Sequence, residues 1–187
     1  MELRTALWNL LGLGLFPLWL ASGGADWLCH RRTHIERTSG PRESLLHLLL
    51  FLEIAIPALL ALWLEISASL LVLMAAGVLA HMLTSWWDTA FAQPRRYIAP
   101  IEQQVHSWLE MLPLFALIIV VLLHASQLSE PQWQFTAREQ PVAPPWRWAV
   151  LLGFAIGLAF ILEEGWRGLR EARRVREQPD PSAVPRP

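Results

Sequence analysis

Apolar residues run along this chain in five stretches, and the polar residues collect between them. A helix that crosses a bilayer needs about 20 largely apolar residues. The pattern predicts such helices over residues 5–28, 44–64, 68–87, 103–124 and 146–162. Pro17, Pro57 and Pro113 fall inside the first, second and fourth. Neighbouring helices in a membrane can satisfy the carbonyls that such prolines free. Only a few residues around Glu65 separate the second and third stretches, which predicts a tight antiparallel hairpin. SGPRES, from Ser39, reads as a helix start, with Ser39 or Gly40 as cap and Pro41 in the first turn. The expected fold is all-α. A polytopic bundle of about five transmembrane helices fills residues 1–166, and a basic, then Pro-rich tail follows over 167–187.

Composition sharpens this picture. The 187 residues are 54% hydrophobic and 17% charged, whereas a soluble domain carries about 25% charged residues. No lysine is present, and all 15 cationic side chains are arginines. The formal net charge of −1 hides their segregation. Arg31, Arg32, Arg37 and Arg42 lie in the first connector, Arg95 and Arg96 in the third, and Arg167, Arg170, Arg173, Arg174 and Arg176 after the last helix. With five spans these fall on one side, and the other side has only Arg4, Arg138 and Arg147. The positive-inside rule then places the N-terminus outside and the C-terminus in the cytoplasm. Trp133, Trp146 and Trp148 fit an aromatic belt on the outer face. SGGA, before Asp26, offers small residues of the kind found at signal cleavage sites. Cleavage there would leave the arginine-rich connector outside, so the first helix is read as an uncleaved span. The expected location is a cell membrane of the bacterial inner-membrane kind, crossed several times. Nothing in the charge pattern suggests a nucleic-acid surface, and the single Cys29 excludes an internal disulfide.

The candidate chemistry lies at the cytoplasmic helix ends. Asp26 and His30 close the first helix, Glu43 and His47 open the second, and Glu102 and His106 open the fourth, each pair four residues apart. His81 and Asp88 close the third, seven apart. Residues at i and i+4 share a helix face, and i+7 returns to it two turns on. Each pair therefore aims an imidazole and a carboxylate in one direction, the general plan of a dinuclear metal site in a helix bundle. These eight residues are the expected metal ligands. Imidazole and carboxylate without thiolate suit iron, manganese or zinc. Two transition-metal ions are expected, iron in preference to zinc. Glu110 continues the Glu102–His106 stripe, and Glu53 lies about 15 Å beyond Glu43 at 1.5 Å per residue, near the bilayer centre. An ionisable group there is costly, so both are candidates for a catalytic or proton-transfer role.

Arg31, Arg32, Arg95, Arg96 and Tyr97 surround the expected mouth, where they would hold a phosphate or carboxylate headgroup or anchor anionic lipid. Membrane lipids, a lipid-like substrate and an electron donor are the expected partners. Glu163 and Glu164 are expected to pair with arginines beyond the last helix. Cys29, His34 and Glu36 lie at the connector without an assigned role. Two non-hydroxylase readings compete: a proton or ion relay through Glu53, Glu110 and His81, and a haem protein ligated by His47, His81 and His106.

HRRTH, from His30 to His34, resembles the HxxxH box of integral-membrane desaturases and hydroxylases. That resemblance implies two metals at the cytoplasmic ends of membrane helices. It covers one short motif, and only six histidines are present where that family uses eight or more. SLLH, from Ser44 to His47, together with Asp88, is loosely similar to membrane zinc hydrolases of the ceramidase type, whose late HxxxH is missing. This second likeness implies zinc-dependent hydrolysis.

Overall fold

The computed structural model describes residues 2–177. Five helices are long and apolar enough to cross a membrane: α1 (Leu3–Thr33), α2 (Pro41–Leu60), α3 (Ala68–Ala92), α4 (Pro100–Leu123) and α5 (Pro144–Glu177). Among the described residues there is no strand, only an isolated bridge between Leu64 and Ala137. The chain is a multi-pass helical bundle of the kind a bilayer accepts, because each helix satisfies its own backbone.

The local sequence explains where these helices start and stop. His34 adopts a left-handed conformation, φ 52°, and closes α1. A single helical turn, Ile35–Thr38, follows. Gly40, φ 69°, then caps α2, and Pro41 occupies its first position. Only glycine takes that φ without steric cost. Ser67 caps α3 by accepting from the Leu70 N–H at 3.3 Å. The α2–α3 connection is short, as the hairpin reading requires, and α5 runs well past the expected end at residue 162. Its extension is held by ion pairs on its own surface, Glu163–Arg167 at 3.1 Å and Glu171–Arg174 at 3.8 Å, and residues spaced three and four apart support a helix in this way. Residues 167–177, expected as tail, are therefore helical, and the Pro-rich end from 178 lies outside the described residues. Within α1, Leu10–Leu15 widens into a π-helical segment.

Lipid tails are as apolar as leucine, so the helices associate through close packing rather than water exclusion. Small residues permit it. A Cβ on Gly77 of α3 would collide with the Glu53 carbonyl oxygen of α2, and one on Gly153 of α5 would lie 2.7 Å from Leu20 and Phe16 of α1. Trp19 (α1), Phe51 (α2) and Phe154 (α5) form the buried centre, with ring centroids 5.8–6.2 Å apart. Aromatic pairs at such separations contribute about 0.5–1.5 kcal/mol beyond their buried area. This aromatic layer lies directly inward of the polar cluster described next and joins α1, α2 and α5 beneath it.

Candidate metal centre

At the bundle end that carries the 34–40 and 93–99 connectors, all five helices contribute to one polar cluster. α1 supplies Asp26 and His30, α2 Glu43 and His47, α3 Asp88, α4 Glu102 and His106, and α5 Glu164. His30 is 1% exposed, and Glu43 and Glu102 are fully buried. Burying so many ionisable groups carries a heavy desolvation cost unless each is paired or coordinated, so the arrangement demands an account.

Glu164 organises the histidines. Its Oε2 accepts from His30 Nδ1 at 2.9 Å and its Oε1 from His47 Nδ1 at 2.6 Å. The two imidazoles stack with centroids 4.5 Å apart and planes 7° from parallel. With both Nδ1 atoms engaged, each Nε2 turns toward the acids. His30 Nε2 lies 3.4 Å from Asp26 Oδ1 and 3.3 Å from Glu102 Oε1. His47 Nε2 lies 3.5 Å from Asp88 Oδ1 and 4.0 Å from Glu43 Oε1. His106 Nε2 lies 2.9 Å from Asp26 Oδ1. Among the described residues, His30 Nε2, His47 Nε2, Asp88 Oδ1 and Glu102 Oε2 are buried without a hydrogen-bond partner. Lone pairs left orphaned around a shared centre are what a bound cation satisfies, and a carboxylate holding the far nitrogen of a ligating imidazole is its usual support.

Two ligand groups have donor atoms within 4.8 Å of one another: Asp26, His30, Glu102 and His106, and His30, Glu43 and His47. The residues present therefore fit a metal ion. Arg96 closes the cluster from the connector side. Its Nη2 reaches Glu43 Oε1 at 2.5 Å and Glu102 Oε1 at 2.6 Å, and its Nε reaches Glu43 Oε1 at 3.0 Å. Burial opposes its charge, but the hydrogen bonds it donates to the Glu43 and Glu102 carboxylates outweigh that and raise the guanidinium pKa above its ordinary value.

The structure brings seven of the eight expected ligands together. Asp88 joins through His47 and stands outside the two tight groups. His81 is the exception. Seven residues from Asp88 is about 10 Å along a helix, which carries His81 below the cluster, where its Nδ1 donates to the Leu50 carbonyl at 3.0 Å. Arg96 is also displaced from its expected place at the mouth: it is 8% exposed and already committed to Glu43 and Glu102. Arg31, Arg32, Arg95 and Tyr97 do lie on the exposed surface. Arg31 rests over the Trp27 ring at 4.9 Å and Arg95 over Phe91 at 3.8 Å. Glu53 accepts from Thr84 Oγ1 at 2.8 Å, and Glu110 is half-buried. No hydrogen bond links Glu53, Glu110 and His81 to one another among the described residues. His34 points out, bonded to Glu36 at 3.1 Å, so the HRRTH motif sends only its first histidine into the cluster. Cys29 is a free, half-buried thiol.

Glu164 is the residue that sequence reasoning misplaced. It does not pair with the arginines, whereas Glu163 does, receiving Arg167 at 3.1 Å and the Trp27 indole N–H at 2.9 Å. The signal was the run Gly157, Phe160, Ile161, Glu164 and Gly168, one face of a helix at three- and four-residue spacing that continues past residue 162. No protein-family model matches the chain, and no curated protein or solved structure matches it.

Proposed function

We propose that the chain is a membrane metalloenzyme that holds two transition-metal ions at the cytoplasmic end of its bundle, and that it is a di-iron oxidoreductase acting on a lipid-like substrate. The observation that carries this reading is Glu164. Its two oxygens hold the Nδ1 atoms of His30 and His47 and leave both Nε2 atoms facing buried carboxylates. Charge supports the count. Five carboxylates, Asp26, Glu43, Asp88, Glu102 and Glu164, share one guanidinium, Arg96. With neutral imidazoles the cluster keeps four uncompensated negative charges, the charge of two divalent cations. In this reading Asp26, His30, Glu102 and His106 would hold one ion and Glu43 and His47 the other, with Asp88 supporting His47. Bound iron would supply oxygen activation, with electrons arriving from a donor at the cytoplasmic face. The chain's own part is to set the imidazole tautomers through Glu164, to keep Arg96 as a fixed cation beside Glu43 and Glu102, and to exclude water with the aromatic layer below.

One observation favours a second reading, a zinc hydrolase. Arg96 already engages Glu43 and Glu102, the carboxylates best placed to bridge two ions. Asp26, His30 and His106 alone form a set of three protein ligands, and catalytic zinc sites keep three and leave a fourth position for water. Elemental analysis of the purified protein separates the readings. About two irons per chain, near-ultraviolet absorption after air exposure and bleaching on reduction are expected. One colourless zinc per chain, with ester or amide cleavage that proceeds undiminished without oxygen, would replace the oxidoreductase reading. A Soret band would overturn both.

A further inference from the structure

A cavity of about 120 Å³ opens directly beneath the metal cluster. Asp26, His47 and Glu164 form its polar end, and its far wall is apolar, built from Trp19, Phe51 and Gly157. Asp26 to Trp19 and Glu164 to Gly157 are both seven-residue steps on their helices, so on each helix the cavity runs about 10 Å inward from the ligands, along the bundle axis. Gly23 and Gly24 of α1 line the same space, and a Cβ built on Gly23 meets nothing within 4 Å. The glycine therefore keeps the passage open. Trp27 and Phe160 stack at 4.8 Å, and Phe160 also lines the cavity.

We infer that this cavity receives the tail of a single-chain amphiphile, head end at the metal cluster and methyl end against Trp19 and Phe51, so that the site acts on carbons or bonds next to the headgroup. The inference rests on the metalloenzyme reading for the chemistry but not for the binding. Its orientation follows from solvation. The reverse pose would put a polar head between Trp19, Phe51 and Gly157, deep in the apolar interior, where an unpaired polar group costs several kcal/mol. The narrow apolar walls suit an unbranched chain. The exposed Arg31, Arg32 and Arg95 lie at the same end of the bundle.

Two photoreactive octanoic acids, whose extended chains match the depth of the cavity, test this on the full-length protein in lipid nanodiscs. One carries a diazirine near its methyl end and the other next to its carboxylate. Crosslinks mapped by mass spectrometry should place the methyl-end probe in peptides containing Trp19, Phe51 or Gly157, and the head-end probe near Asp26 or Trp27. Excess unlabelled octanoate should remove these crosslinks and spare those on lipid-facing residues. Gly23→Phe, which fills the passage, should lower methyl-end crosslinking at least five-fold and leave metal content unchanged. Crosslinks confined to lipid-facing positions, or an inverted order of the two probes, overturn the inference whether or not the variant assembles, because the wild-type positions decide it. Cavity labelling without any bound metal would instead sink the metalloenzyme reading and leave the binding inference standing.

Discussion

Glu164 lies 117 residues from His47 in sequence, yet the two share the shortest contact of any histidine here, 2.6 Å from Nδ1 to Oε1. The last helix thus sets the tautomer of a ligand on the second. Removing such outer support typically costs 10–100-fold in metal affinity. Glu164→Gln should therefore retain the fold but weaken metal binding about 10–100-fold, read by competition with a chelator of known affinity. Affinity equal to wild type would remove Glu164 from the site.

Two histidines at opposite ends of the bundle make a matched pair of variants. His106 sits 2.9 Å from Asp26 inside the cluster. His124 donates from Nδ1 to the Val120 carbonyl at 2.9 Å and packs edge-on against Trp8. Alanine at His47 or His106 should lower metal content sharply, and alanine at His124 should leave it intact. Equal losses from all three would show that metal content follows general stability and not ligation.

Arg96 compensates two fully buried acids at once, Glu43 and Glu102. Removing one partner of a buried ion pair strands the other charge and costs about 3–5 kcal/mol. Arg96→Ala should lower thermal stability in detergent by an amount of that order. Arg96→Lys should recover only part of it, because an ammonium lacks the two-pronged geometry of guanidinium. Full recovery by lysine would mean that only the charge matters.

Gly77 lets α3 approach the Glu53 carbonyl of α2. A methyl group there meets backbone, which has no rotamer to yield. Gly77→Ala should separate the hairpin and destabilise the protein by about 1–3 kcal/mol, the usual cost of overpacking. Gly23→Ala, with open space around its Cβ, should be close to neutral. Similar unfolding temperatures for the two variants would refute the packing argument.

The orientation of the bundle rests on its arginines. Reporter fusions after Arg37 and after Arg174 should both report the cytoplasm, since these cationic segments lie at the same end. A periplasmic signal from either alone would place the two segments on opposite sides and break the five-span geometry, and with it the convergence of the polar cluster.

The helical architecture was legible because hydropathy and length alone identify membrane spans, and caps such as Gly40–Pro41 mark their starts. The four-residue pairs were legible because α-helical periodicity places them on one face. Two parts were not. Depth misled the reading of His81, where sharing a face with Asp88 did not mean sharing a level. Charge misled the readings of Arg96 and Glu164. Both sit among polar residues at span ends, where solvation by water is the default, and only the three-dimensional excess of carboxylates and imidazoles draws them inward.

The dependence of His30 and His47 on Glu164 has a consequence for biosynthesis. Four helices carry the side chains of the polar cluster other than Glu164, but they leave the ribosome before Glu164, which orients two of them. Until the fifth helix is threaded into the membrane, the nascent bundle holds acids and imidazoles in loose tautomers, with little ability to retain an ion. In the proposed metalloenzyme reading, loading would wait until the fifth helix is in place. In that reading a chain truncated before Glu164 would stay empty of metal.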